Sequence, residues 1–261
     1  MNGGAATLVL ERIGAGVLAI AREAGGIGVL CGRVVRSLVP PALDARELKL
    51  HLYKMGVRSV PIVVLTAFFT GGIMLIQSGI FVRRFGAYGL LGWGVGYAVF
   101  REIGPILIAL MFSGRVGANN TAELGTMTVT EQIDGLRALA IDPIRYLLVP
   151  RVLAMMIMLF CLTLIGDLVA ILGGAIMGKL LLGVDFWTFY NSFADNLKTQ
   201  DLAHGLWKSI AFGGIIALSS CHFGVSVRGG AVGVGRAVNA AVVAAAVGIM
   251  LLDYFLTYLL P

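Results

Sequence analysis

Apolar residues in this chain come in long runs, and most charges fall in the short segments between them. A helix needs about 20 apolar residues to cross a bilayer. Five runs meet that length, at roughly 59–82, 86–114, 152–178, 206–227 and 237–260. The region before them, 6–38, is apolar but punctuated. Glu11, Arg12, Arg22 and Glu23 fall on one helical stripe with Ala15, Ala19 and Gly26, while Leu8, Ile13, Val17, Leu18 and Ile20 lie mainly off it. That pattern predicts an amphipathic helix lying in the membrane interface, too charged to cross, within an N-terminal segment 1–43. Pro40-Pro41 should end it. Asp44-Ala-Arg-Glu47 then reads as a capping box that opens a short basic helix carrying Arg46, Lys49, Lys54 and Arg58. This helix leads into a membrane domain spanning 44–261. In the second run, glycines at 86, 89, 92, 94 and 96 should allow close helix contact, and Pro105 should kink the helix. The fold class expected is therefore an all-α integral membrane protein: an interfacial helix, about five transmembrane helices, and one more helix in the loop described next.

Residues 101–151 break the pattern twice. Arg101 and Glu102 sit as neighbouring charges inside the second apolar run, and ionised groups at membrane depth are rare unless paired or used. Two readings stay open for them: a polar lining that meets a charged headgroup, or an internal charge satisfied by a neighbouring helix, with Asp167 and Asp253 as candidate partners for Arg101. Each aspartate alone reads as a buried hydrogen-bonding group. The chain should then leave the bilayer at Arg115 and cross a polar region, 115–151. Within it, Thr128–Ile141 predicts a short amphipathic helix with Ile133, Leu136, Leu139 and Ala140 on one face, capped by Thr128 or Thr130 and ended by Asp142-Pro143. Such a helix suits insertion into a partner's groove, and it would equally suit packing on its own spans. Gln77 and Ser78, at the end of the first run beside Leu75 and Ile76, mark either a substrate-facing mouth or simply a span's end.

Composition narrows the class. Hydrophobic residues make up 58% and charged residues only 13% of the chain, far from the roughly 25% charge of a soluble domain. The net charge of +6 is thus a matter of orientation and anionic lipid, not of nucleic acid. With the N-terminus cytoplasmic, 14 basic residues fall on the inner segments, against Arg83, Arg84, Lys179, Lys198 and Lys208 outside. The segment 183–204, with the aromatics Trp187, Phe189 and Tyr190, then lies outside at the interface. Cys31, Cys161 and Cys221 lack any metal-ligand or disulfide spacing and read as inert thiols. The charges at 11, 12, 22 and 23 also argue against a secretory signal.

Two motif matches carry little. Gly173 to Lys179 fits a phosphate-loop spacing, but Leu180 stands where a magnesium-binding Ser or Thr belongs, and the match sits at the end of an apolar run. Asn119-Asn120-Thr121 is a glycosylation sequon on the expected cytoplasmic side. Without a metal cluster, nucleophile–base pair or HExxH motif, an intramembrane enzyme is disfavoured. A proton-coupled carrier using Glu102, Asp167 and Asp253 remains a competitor, as does a non-transporting membrane scaffold.

Arg101-Glu-Ile-Gly-Pro105, Ser113-Gly-Arg-Val-Gly117, Thr121-Ala-Glu-Leu-Gly125, Thr130-Glu-Gln132 and Ala140-Ile-Asp-Pro143 occur in order, with Leu252-Asp253-Tyr254 near the end. By these motifs, roughly residues 45–260 resemble the MlaE/YrbE permeases, membrane subunits of ABC transporters that work with MCE-domain proteins. The resemblance implies a permease homodimer in a bacterial inner membrane, separate cytoplasmic ATPase subunits that bind the ATP, MCE-domain subunits on the outer side, and phospholipid as cargo. It implies no catalytic residue and no resident cofactor or metal in this chain. It makes Glu131 to Pro143 the ATPase-coupling helix, with Glu131, Gln132, Asp134, Gly135, Leu136, Asp142 and Pro143 as its contacts. It places Arg101 and Glu102 near a lipid pocket that Leu75, Ile76 and Gln77 help to line.

Overall fold

The structure, a computed structural model, describes residues 3–37, 45–86 and 88–259, and all the described secondary structure is helical. Asp44 and Pro40-Pro41, read as a helix start and a helix stop, lie outside the described residues. The helices are α1 (Gly3–Ser37), α2 (Ala45–Met55), α3 (Val60–Phe85), α4 (Leu91–Ala98), α5 (Gly104–Phe112), α6 (Ala118–Val129), α7 (Gln132–Ala138), α8 (Val149–Met177), α9 (Phe186–Asn196), α10 (Thr199–Val225) and α11 (Gly230–Leu259). Turns of π-helix at Val99–Ile103 and Ser113–Gly117 join α4, α5 and α6 into one continuous rod, and others flank α8 at Ile144–Leu148 and Gly178–Leu182.

Among the described residues, six helical stretches are long and apolar enough to cross a membrane, where the sequence pattern counts five. The sixth is Gly14–Ser37 of α1, whose charges are sparse enough to pass on length and composition. Its contacts nevertheless gather at one end of the bundle. Glu23 Oε2 lies 2.9 Å from His222 Nε2 in the last turns of α10, Leu30 and Val34 join the core there, and Arg33, Arg36 and Ser37 face Ile144 and Arg145 just before α8. The C-terminal half of α1 thus touches the last turns of α10 and the approach to α8.

In lipid the hydrophobic effect does not drive helices together, so close backbone approach through small residues does much of the work. The tight α3–α8 pair shows this. A Cβ on Gly71 would stand 1.8 Å from the Ala170 carbonyl oxygen, and one on Gly173 would stand 2.2 Å from that of Phe68. The phosphate-loop lookalike is accordingly a stretch of helix pressed against α3, not a loop. Gly92 and Gly96 serve a similar close contact, but with α9, where Phe189 and Phe193 pack, and not with another span. Two apolar clusters fill the bundle: one around Phe112, Leu124, Met155 and Phe212, the other around Leu75, Val95, Phe100 and Phe189.

The second run does not end at Arg115, as the polar sequence suggests. The helix continues through it as a π turn and stops only at Val129. It also starts late. Gly86, at φ +68°, closes α3 in the left-handed conformation that favours glycine, and α4 begins at Leu91.

Candidate functional site: an intramembrane charge network and a coupling helix

Pro105 explains why Arg101 and Glu102 occupy a special turn. It lacks the amide hydrogen that would close the helix onto the carbonyl four residues back, which belongs to Arg101. The chain answers with the π turn 99–103, and the Lys208 ammonium donates to that carbonyl at 3.2 Å. Lys208, only 1% exposed, also lies 2.6 Å from Glu102 Oε2 and 3.0 Å from Asp253 Oδ1, and donates to Thr257 Oγ1 at 2.8 Å. Thr257 in turn donates to Glu102 Oε1 at 3.2 Å. Arg101 points elsewhere: its Nη1 sits 3.4 Å from Asp201 Oδ1 and its guanidinium lies over the Tyr97 ring, 5.4 Å from the centroid. Asp201 also accepts from the Lys198 backbone N–H at 3.1 Å, at the start of α10.

The charge pair is therefore not one closed pair. Glu102 is held by α10 and α11, while Arg101 is held by the first turn of α10. The partner proposed for Arg101 from the sequence is corrected: Asp253 serves Lys208, and Asp167 lies apart. Asp167 is fully buried in α8, and neither carboxylate oxygen has a hydrogen-bond partner among the described residues, contrary to the expected hydrogen-bonding role. Its Oδ1 would stand 2.2 Å from a Cβ on Gly104, so Gly104 is what leaves room for it. Lys208, Asp201 and Thr257 were not singled out by the sequence. The signal available was a lysine two residues inside the fourth run; assigned to the outer flank by charge counting, it is in fact the buried centre of the network, because α10 begins at Thr199.

The other expected lining residues do not converge on this network within one chain. Leu75 is fully buried in the α4–α8–α9 cluster, whereas Ile76 and Gln77 face outward from α3. Arg101 and Glu102 turn toward α10 and α11.

At the opposite end, α7 stands between the rod and α8. It is shorter than expected, and neither Thr128 nor Thr130 caps it. Their hydroxyls donate back to the carbonyls of Leu124 and Thr126 at 2.8 Å each, finishing α6 instead. Glu131, at φ 58°, makes the sharp turn into α7. Ile133 is buried and Leu136 packs against the core, while Glu131, Gln132, Asp134, Gly135 and Arg137 are exposed. Leu139 and Ala140, expected on the packed face, are exposed as well. Asp142-Pro143 does more than stop this helix: Asp142 Oδ1 accepts from the Ile144 amide at 3.0 Å and starts the turn into α8. A second polar network stiffens this end. Arg151 of α8, buried, donates to Asn120 Oδ1 at 2.8 Å and lies 3.3 Å from Glu123 Oε2; Asn120 donates to Ser220 Oγ at 2.9 Å, and Lys54 of α2 pairs with Glu123.

The family model described as "Permease MlaE" matches residues 49–259. A probable ABC transporter permease protein of Rickettsia conorii is 37% identical over 251 residues, covering 96% of this chain and 97% of its own length. The intermembrane phospholipid transport system permease protein MlaE of Haemophilus influenzae is 30% identical over 208 residues, covering 79% of this chain and 80% of its own. The chloroplastic protein TRIGALACTOSYLDIACYLGLYCEROL 1 of Arabidopsis thaliana is 36% identical over 234 residues, covering 88% and 66% respectively.

Proposed function

From the premise that the chain belongs to the MlaE permease family, and so is a multi-pass membrane subunit of an ABC transporter, we propose that it moves phospholipid between the inner membrane and the outer envelope. Two copies form the pathway, separate cytoplasmic ATPases drive it, and an MCE-domain protein meets the opposite end. The N-terminus is cytoplasmic, and ATP is bound by the partner alone. The Haemophilus influenzae relative, an intermembrane phospholipid transport system permease protein, supports the cargo. The observation that carries the reading is the stance of α7: two apolar residues anchor it, and its remaining surface is offered outward.

The mechanism follows from connectivity. α7 is tied to α6 by a two-residue turn and to α8 by residues 139–143 and the π turn Ile144–Leu148. Along the rod, Val129 lies 28 residue steps from Arg101, about 42 Å at 1.5 Å per residue. A push on α7 by a closing ATPase is delivered along that rod to the turn that carries Arg101 and Glu102. The π turn at Ser113–Gly117 on the way, and the one at Val99–Ile103 where the push arrives, are where its hydrogen-bond ladder is already irregular and can change. At the far end, the outward face of α3 with Ile76 and Gln77 gives lipid tails an apolar wall, and Arg101 is the cation for a phosphate.

Gly135 gives a clean test. A Cβ there meets nothing within 4 Å, so Gly135→Trp leaves the permease folded and obstructs only a docked partner. ATPase co-purification should fall to background while the thermal midpoint of the permease stays unchanged. Undiminished co-purification would remove α7 from the coupling role. The carrier alternative is less supported: Glu102 and Asp253 share one lysine, and no hydrogen bond among the described residues links Asp167 to either.

A further inference from the structure

A cavity of about 280 Å³ opens beside the second polar network, lined by Lys54, Arg58 and Ser59 on one wall and Arg115, Asn119 and Glu123 on the other. Three cations meet one carboxylate there. Glu123 is already engaged by Lys54, by Arg151 and by the Asn119 amide at 2.9 Å. The guanidiniums of Arg58 and Arg115 are left as the cavity's excess positive charge, both exposed to it. Their depth is matched. Arg58 lies two residues before the apolar helix α3, and Arg115 sits where the rod turns from apolar to polar sequence. Two adjacent spans thus bring cations to one headgroup level, at the coupling end.

The neighbouring helix supplies an independent observation. Leu50, Tyr53, Lys54, Val57 and Arg58 lie on one exposed face of α2 and its continuation. An exposed row mixing Leu, Tyr and Val with Lys and Arg is what a helix resting in a lipid interface presents. Ile62 and Leu65 continue the apolar surface along α3. Acyl chains therefore have a wall immediately above the cavity, and a phosphate has donors within it.

We propose that this cavity binds the phosphate of an anionic phospholipid from the leaflet at the coupling end, held by Arg58 and Arg115 with Lys54 at the rim. The bound lipid fastens α2 to the rod at the point where α6 begins. The site is separate from the Arg101 network. It rests on the chain spanning the membrane and not on lipid being the cargo, so its failure would leave the transport reading standing.

The test uses the purified full chain in nanodiscs of phosphatidylcholine alone or with phosphatidylglycerol, read by thermal midpoint and by lipid retained in native mass spectrometry. Phosphatidylglycerol should raise the midpoint and be retained. Arg58→Gln with Arg115→Gln should lower its retention at least about tenfold, the size expected for losing charge-assisted contacts, and the corresponding double Lys variant should recover part of it. Arg228→Gln with Arg236→Gln, the same charge removed elsewhere, should leave retention intact. No preference for phosphatidylglycerol in the wild type, or equal loss in that control, would overturn the site. Inorganic phosphate in detergent protecting as well as the lipid would overturn its assignment to a lipid. So would a double Gln variant that keeps its lipid but loses a co-purifying ATPase. If that variant does not fold, the wild-type comparison and the Lys variant still decide.

Discussion

Lys208 has the largest predicted effect of any single residue. Removing one partner from a buried ion pair leaves the other charge desolvated, at roughly 3–5 kcal/mol. Lys208→Met strands both Glu102 and Asp253 and should lower the thermal midpoint in detergent strongly. Adding Glu102→Gln and Asp253→Asn should recover most of the loss, and a triple variant no better than the single would show that packing and not charge was lost. Arg101→Ala is expected to act differently, because Arg101 is tied to Asp201 and Tyr97 and not to Lys208. Its loss leaves the buried Asp201 with the Lys198 amide alone, so the midpoint should fall, less than for Lys208 because one carboxylate is stranded and not two, and lipid recovered with the purified protein should fall as well; unchanged lipid would make Arg101 a purely internal charge. Asp167 gives the third contrast. A buried carboxyl without partners is not stabilising, so Asp167→Asn should be neutral or stabilising and should leave transport intact. Loss of transport with normal folding would revive a proton relay.

Among the elements, α8 decides most of the packing, because it touches α3, α10 and α2. The α3–α8 contact is backbone on backbone, so Gly173→Leu has no side chain to push aside and must separate the helices. Overpacking of this kind costs about 1–3 kcal/mol or more. The same variant tests the phosphate-loop lookalike, since a helix interior predicts lost stability, whereas a nucleotide loop predicts lost nucleotide binding with folding intact. The long spans were legible because hydrocarbon demands uninterrupted apolar length, whereas α9 was not read as a helix, its segment standing out only for aromatics suited to an interface. The continuity of the rod through Arg115 was not legible. A π turn leaves no signature in hydrophobic periodicity, and Ser, Gly and Arg together read as an exit from the membrane. The length of α7 was misjudged for a related reason: Thr128 and Thr130 are good caps in isolation, but both hydroxyls are used on α6.

At the scale of the whole molecule, the arrangement predicts sidedness. With Lys208 reassigned to the interior, the basic bias toward the α7 end is stronger than the sequence tally suggested. In a background lacking Cys31, Cys161 and Cys221, Ala138→Cys should label with an impermeant thiol reagent only after cells are opened, and Ala194→Cys should label in intact spheroplasts. The reverse pattern would invert the proposed orientation and move the ATPase surface away from α7.

The sequence by itself determined that the chain lives in a membrane, where five of its six span-length apolar helices lie, that a polar helix sits between the second and third runs, and that charge at 101 and 102 is out of place. These are local properties, set by transfer free energy along a single helix. Only the tertiary structure decided what Arg101 and Glu102 do. Asp201, Lys208, Asp253 and Thr257 lie 100 or more residues away in the chain, and no periodicity encodes which of several buried charges will face one another. The anomaly was visible in one dimension, but its resolution into two separate partnerships needed helix packing to bring α10 and α11 onto the turn made by Pro105.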